Sequence, residues 1–303
     1  MKKVYCIGEL LIDLVSTNGD SYLKKPGGAP ANVGVAVSKL GGDAYFLGQV
    51  GQDKFGNFLK KVLDENGVNT TFTKVDGKTT LALVSIDPSG ERSFEFYRGS
   101  DEAYEVAVAD LLVDTDTIVH FGSATAFLGG KLMETYYNVL AQAKSCKAVI
   151  SFDPNYRDVL ISKAQLEDYI QHCQHFMKEA DFIKLSDEEA MLLTKTTCFD
   201  EAVAALKALE LKTIAITLGK EGTMLMQNGE TTIVKSIAIE QKDSTGAGDA
   251  FVGGVLFGLA NDEIKPMNQI IEFANVVGAM TCEQYGAIPA IPTMEQVVAR
   301  LSK

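Results

Sequence analysis

The stretch MKKVYCIGELLIDLV, residues 1 to 15, decides what kind of chain this is. Two lysines ahead of an apolar run give it the outline of a secretory leader. Glu9 and Asp13 interrupt that run, however, and no small-residue cleavage site follows, so 4–7 reads as the first strand of a sheet. The chain does not then turn into a helix. Over 9–23 it keeps an alternating character, as at Leu11, Asp13 and Val15, which predicts a second β segment set apart from the first.

Outward from there, β-rich apolar runs at 44–50, 117–121, 148–152, 182–184 and 213–217 alternate with amphipathic stretches at 31–40, 54–65, 131–144, 164–179 and 201–209. Strands apolar on both faces, spaced by helices, predict an α/β fold whose mostly parallel central sheet is covered by helices on both faces. Residues 79–98 break the rhythm as two strands, LALVSID and RSFEFYR, joined by a hairpin turn at Pro88-Ser89-Gly90. The discontinuous segments near 10–25 and 80–105 are expected to meet as a small β-sheet lid on a single domain spanning 1–303. The last third reads as helices over 247–260, 267–284 and 293–301.

Bulk properties limit the function. The chain has 303 residues, 40 of them acidic and 28 basic, for a formal net charge of -12. Such a surface opposes binding to nucleic acid or to anionic membranes. A site for a polyanion must therefore be built locally, from backbone N–H groups, a few cations or a metal. Five scattered cysteines without a C-x-x-C pair fit a reducing compartment, and the cytoplasm is the expected location. No stretch approaches the roughly 20 apolar residues needed to span a bilayer.

Two glycine-rich turns carry candidate chemistry. In the first, DSTGAGDAFVGGVLFGL (243–259), a polar turn leads directly into an apolar helix. Gly246, Ala247 and Gly248 have little side chain, so their N–H groups can converge on an anion at the helix start. Asp249, in the first helical turn, is placed to take a proton from a hydroxyl attacking a bound phosphoryl group. Helix capping by Asp243 or Asp249, with the glycines only packing the helix, is the plainer alternative. The G-x-G-x-x-G spacing of dinucleotide sites fails, because Phe251 stands where the third glycine belongs, and no G-x-x-x-x-G-K-[ST] loop occurs. The second cluster, KPGGAPANVGVAVSKLGG (25–42), joins a tight turn at Gly27 and Gly28 to Asn32 in the next helix. With Asp13 upstream it offers an acid and an amide beside one glycine turn, suited to a polyol. His172 and His175 share a helix face, but no third metal ligand lies nearby.

Together, GELLIDLVS, GGAPANVGVAVSKLGG, the GxVGxDxFG stretch from Gly48 to Gly56, FDPNYR, KLSDEE, ITLGKEG and DSTGAGDAF resemble the signatures of the PfkB (ribokinase-like) carbohydrate kinases, across essentially the whole chain. The resemblance implies a ribokinase-like fold with a small lid. It also implies transfer of a phosphoryl group from ATP, with Mg²⁺, to the primary hydroxyl of a small sugar. Asp249 falls on the position of the base, and Gly246, Ala247 and Gly248 on the anion hole. Asp13, Gly27, Gly28, Asn32, Arg98, Asn155 and Arg157 fall on the sugar side. Lys184, Thr217, Gly219, Gly222 and Asn275 fall on the nucleotide side. Glu189 matches an acid that organises Mg²⁺ through water, although Ser186 stands where many relatives have Asn. Asp243 and Thr245 mark a candidate K⁺ site, where Ala290 lacks a side-chain oxygen that some relatives supply.

Within that family GGAPANV and FEFYRGSDEAY are most similar to bacterial fructokinases, which makes fructose the expected acceptor. Arg98 and Arg157 raise 2-keto-3-deoxygluconate as the alternative, since paired arginines suit a carboxylate. Ribose or a nucleoside follows, and a silent sensor on the same fold is the reading from another class. A homodimer joined through the lid is a further expectation.

Overall fold

The computed structural model describes residues 1–16, 21–86, 92–261 and 266–302, with side chains omitted at 85, 86 and 92–94. Its large sheet has β1 (Lys3–Ile7) third from one edge, a parallel strand between β4 (Asp43–Val50) and β8 (Thr117–Phe121). The sheet continues past β8 through β9 (Val149–Phe152), β10 (Phe182–Ser186) and β11 (Thr213–Thr217), all parallel. β5 (Thr73–Val75) adds a parallel edge beside β4. At the other edge β12 (Thr223–Gln227) and β13 (Glu230–Val234) close the nine-stranded order as an antiparallel hairpin.

Side-chain alternation sends β1 to two cores. Tyr5 and Ile7 join one built on α3 (Lys131–Ser145), α4 (Leu166–Glu179), α5 (Asp187–Thr194) and α6 (Phe199–Ala208). Val4 and Cys6 join the opposite one, built on α1 (Ala29–Lys39), α7 (Ala247–Ala260) and α8 (Met267–Thr281). A strand buried on both faces carries no polar side, which is why these runs are apolar throughout. A third cluster joins α2 (Lys54–Glu65) and α9 (Met294–Leu301) to α1 and α8. Gly253 lies where a Cβ would sit 2.3 Å from Ala36, and Gly258 where one would sit 2.7 Å from Ile270, so these glycines let α1 and α8 pack closely against α7.

The irregular β segments form a separate four-stranded sheet in the order β3-β2-β6-β7. Its strands are β2 (Leu11–Ser16), β3 (Tyr22–Gly27), β6 (Leu81–Ile86) and β7 (Arg92–Tyr97). β2 pairs antiparallel with β3 and parallel with β6, a pairing between strands distant in sequence. The expected turn at Pro88-Ser89-Gly90 lies outside the described residues. The fold class agrees with the sequence reading. β5, the β12–β13 hairpin and α5 are additions to it.

Candidate functional site

The parallel strands of the large sheet run in one direction, and Lys184 of β10, with Asp153 after β9 beside it, lies against the N-terminus of α7. Gly246 caps that helix in the left-handed region (φ 77), where a Cβ would stand 2.6 Å from the Ala287 Cβ. Only glycine fits there without moving the neighbouring loop. The helix start thus brings the Gly246 and Gly248 N–H groups into one turn, as an anion cradle requires, but the Ala247 N–H expected to join them is closed into the turn on the Ser244 carbonyl at 3.1 Å.

Asp249 is the third residue of α7. Its Oδ2 accepts a hydrogen bond from Asn32 Nδ2 at 2.8 Å, which unites the two sequence clusters. Desolvation pushes its carboxyl above the ordinary aspartate range, against the opposing pull of Asn32, Arg157 and Lys184. Asn32 is buried, and its Oδ1 has no hydrogen-bond partner. A buried amide oxygen without a partner is costly, and a ligand hydroxyl would satisfy it.

Asp13 stands on β2 opposite Lys25 of β3. Burial pushes it up to about 6, opposed by Lys25 and Arg157. A Cβ on Gly27 would meet Asp13 Oδ2 at 2.4 Å, and one on Gly28 (φ 117) would meet the Glu9 carbonyl at 2.5 Å, so this turn needs both glycines. Asn155 takes a left-handed conformation (φ 45), donates its backbone N–H to Asp153, and sends Nδ2 to the Gly122 carbonyl at 3.2 Å. Arg157 is exposed, bonds the Tyr156 carbonyl at 2.9 Å, and its charge pulls Asp13, Glu189 and Asp249 downward together. Arg98 is committed elsewhere: it bonds Asp101 at 3.4 Å and the carbonyls of Thr125 and Gly129 at 3.1 and 3.0 Å.

Lys184, in the middle of β10, lies beside the cradle. Its Nζ lies 3.3 Å from Asp153 Oδ2 and 3.7 Å from Glu189 Oε2, and a Cβ on Gly248 would be 3.6 Å away. Burial alone would lower this ammonium, but Asp153, Glu189 and Asp249 outweigh it and hold it raised. Among those carboxylates the proton favours Asp153, which burial pushes up despite Lys184. Glu189 goes the other way. Burial works against its charge, yet Lys184 and the N–H groups of Ser186 and Tyr156 keep it below the usual range. Ser186 returns the bond by capping α5, so it stands in a capping box with Glu189.

Asp153 stands within FDPNYR with no signal of its own in the sequence, and the end of β9 places it against Lys184. The same holds for the silence of His120. It is buried in β8 with Nδ1 on Ser151 Oγ, burial keeps it neutral, and Nε2 is unpartnered. An apolar strand pattern gives no signal for such a histidine.

On the other side of α7 lies a cleft of about 800 Å³, lined by Thr217, Gly219, Gly222, Ala247, Gly248 and Asn275 among others. Gly222 (φ 103) lets the chain pass within 2.1 Å (as a Cβ would see it) of the Val234 carbonyl. Thr217 bonds the Leu185 carbonyl at 3.3 Å. Asn275 accepts from Thr223 and donates to the Val234 and Lys235 carbonyls, so it braces the cleft wall and has no donor left for a ligand. Asp243 accepts from Thr245 N–H and O–H on one oxygen and from Gly286 N–H on the other. These bonds outweigh its burial and hold it below the usual range. No cluster of three metal-binding side chains occurs among the described residues, His172 and His175 included. His172 instead bonds Tyr137 and stacks on Phe127.

A family model for pfkB family carbohydrate kinases matches residues 1–294. The chain is 36% identical to a probable chloroplastic fructokinase-6 of Arabidopsis thaliana, over 99% of this chain and 82% of that protein. Among solved structures it is similar to a fructokinase from Vibrio cholerae O395 in a fructose, ADP and calcium ion bound form. That match has a TM-score of 0.88 and 29% identity, covering 99% of this chain and 98% of that one. It is also similar to an aminoimidazole riboside kinase from Salmonella enterica complexed with aminoimidazole riboside and an ATP analogue. There the TM-score is 0.87 and the identity 29%, with 99% of each chain covered.

Proposed function

The chain belongs to the pfkB family of carbohydrate kinases, and on that premise we propose that it transfers the γ-phosphoryl group of ATP to the primary hydroxyl of D-fructose, giving fructose 6-phosphate and ADP. The observation that carries this reading is the Asn32–Asp249 hydrogen bond, with the free Asn32 Oδ1 beside it. A raised carboxyl acting as base and an unsatisfied acceptor meet where the cradle begins, which suits a polyol presenting one hydroxyl for attack and another for recognition.

In the proposed reaction fructose is held by Asp13, Gly27, Gly28, Asn32 and Asn155, with Arg157 near them. Asp249 accepts the hydroxyl proton as the oxygen bonds to the γ-phosphorus and the bond to the ADP oxygen breaks. The N–H groups of Gly246 and Gly248 and the Lys184 ammonium face the charge that develops on the transferred group, while the Ala247 N–H is spent on the Ser244 carbonyl. ATP occupies the cleft bounded by Thr217, Gly219, Gly222 and Asn275. Mg²⁺, when bound, would supply the positive charge against the phosphates that this acidic protein lacks. Glu189, whose two oxygens each accept a backbone N–H, would hold it through water. K⁺ beside Asp243 and Thr245 is the second cation in this reading. The lid of β2, β3, β6 and β7 closes over the sugar and excludes water from the phosphoryl group. The exposed Tyr22 and Leu23 on its β3 edge are where a lid-to-lid dimer would form. Free cysteines throughout the chain agree with a cytoplasmic location.

The likeness to the aminoimidazole riboside kinase favours a riboside as the second reading for the acceptor. A carboxylate-bearing sugar acid fits less well, because Arg98 spends its guanidinium on Asp101 and two carbonyls and leaves Arg157 alone. ADP release with ATP and Mg²⁺, measured against fructose, ribose, aminoimidazole riboside and 2-keto-3-deoxygluconate, tests the assignment. Fructose is expected to lead in kcat/KM by about tenfold or more, the discrimination open to a site that hydrogen-bonds its substrate. Preference for a riboside would overturn the acceptor. Silence with every sugar, alongside thermal shifts on ligand addition, would make the protein a sensor.

A further inference from the structure

The chain passes between the large and small sheets at four places: from β1 to β2, from β3 to α1, from β5 to β6, and from β7 towards β8. Two buried carboxylates that the reaction does not use, Glu9 and Asp101, sit among these passages at 2% and 0% exposure. Glu9 is in the first passage. Its Oε1 accepts the Ala29 N–H at 3.1 Å, in the second passage, directly after the Gly27–Gly28 turn. Asp101 is in the fourth. It accepts from Thr80 Oγ1 in the third passage and from Arg98 Nε in the fourth.

Both carboxylates end on the same short loop after β8. Glu9 Oε2 accepts the Ser123 hydroxyl, and Asp101 Oδ2 accepts the Thr125 hydroxyl at 2.8 Å. The two hydroxyl oxygens are 3.3 Å apart with both protons already spent, so the bond that joins them is the Thr125 N–H on Ser123 Oγ at 3.2 Å. Ser123 Oγ also accepts from the N–H groups of Thr125 and Ala126, which commits its proton to Glu9. Thr80 ties back in turn, since its carbonyl accepts from Ile12 of β2 and its hydroxyl from Gly99. Ion pairing is not what fixes Glu9. Burial pushes it up to about 7, the Asp101 charge adds to this, and the Ser123 and Ala29 hydrogen bonds oppose it.

We propose that Glu9 and Asp101, joined through Ser123 and Thr125, are positioning residues that form one hinge bearing for all four passages. The bearing sets the angle of the lid and, through Ala29, the place of the glycine turn that would receive the sugar. A network with every member hydrogen-bonded resists partial rearrangement, so the passages move together or not at all. Its effect on catalysis rests on the kinase reading above; the mechanical coupling does not.

The test uses Thr125→Val, which removes the hydroxyl at nearly constant shape, against Thr125→Ser, which keeps it. In the ligand-free full chain, amide hydrogen exchange at Ile12, Ala29 and Gly99 is expected to quicken by about tenfold or more in the valine variant. Amides of β8 and β9 stay within about twofold of wild type, and the serine variant follows wild type. In steady-state assays the valine variant should raise the fructose KM by about fivefold or more, leave the ATP KM within about twofold, and raise ATP hydrolysis in the absence of sugar. Exchange that quickens only around residue 125, or a lower kcat at unchanged fructose KM, would overturn the bearing. If the wild-type protein turns over no sugar, the exchange measurement alone decides, so failure of the kinase reading and failure of this one remain separate.

Discussion

Gly248 separates the stability of the fold from the working of the cradle, and Gly248→Ala exploits the separation. The residue is the second of α7, its φ is not in the left-handed region, and an added Cβ would make only ordinary contacts, at 3.6 and 3.8 Å, with the end of the Lys184 side chain. Alanine is favoured over glycine inside a helix by roughly 0.5–1 kcal/mol. The variant should therefore hold its melting temperature or gain about 1–3 °C, allowing for a chain of this size. The methyl group, however, would stand between the N–H cradle and the Lys184 ammonium, where the transferred phosphoryl group must make contact with both. Losing one such preorganised donor costs about 10²–10³ in kcat. A coupled ADP-release assay beside a thermal melt reads both quantities on one sample. Turnover within about threefold of wild type at an unchanged melting temperature would refute the placement of phosphate between Gly248 and Lys184.

Other variants probe the remaining walls of the site. Lys184→Met strands Asp153 and Glu189 without their shared cation, so stability should fall by about 3 kcal/mol or more in denaturant titration, with Asp153→Asn recovering part of the loss. Asn275→Leu removes the brace to Thr223, Val234 and Lys235; the ATP KM should rise about tenfold while the fructose KM stays put, as steady-state kinetics would read. Activity and stability should move in opposite directions with pH. Asp249, raised by burial, must be ionised to act, and Asp13 loses its acceptor character below about 6, so kcat/KM for the sugar should fall on acidification through that range. Asp13 and Glu9, at about 6 and about 7, hold protons that the unfolded chain has already released, so the folded state is favoured below the unfolded values near 4 and loses that advantage as pH rises towards 7. Melting temperatures across pH 5 to 8 that climb with pH would contradict this sign.

Much of this fold was legible because periodicity reports burial directly. The helix over 54–65 and the strands over 117–121 and 213–217 fall where the pattern puts them. The antiparallel hairpin of β12 and β13 was not read, because TMLMQ and ETTIV carry no strong alternation and edge strands need little. For α5 the signal was present. Ser186 and Glu189 spell a capping box, but Glu189 drew attention as an acid near phosphate, and it serves the helix and Lys184 at once. The glycine turns were readable at the level of conformation, since Gly28 and Gly246 both need a positive φ. What a long side chain does across the fold was not readable. Arg98 looks free beside its own strand, yet its guanidinium is claimed by carbonyls 27 and 31 residues away. The hinge around Glu9 and Asp101 is hidden for the same reason, because Glu9 and Ser123 are 114 residues apart.

The central claim is that Asp249 takes the proton from the hydroxyl that attacks phosphorus. Asp249→Asn keeps the shape and an oxygen for Asn32 while removing the base. Titration of the variant with fructose should give an affinity near wild type, and its rate of fructose 6-phosphate formation should fall by more than about a hundredfold, the range for losing a general base. Turnover close to wild type in that variant would contradict the account at its root.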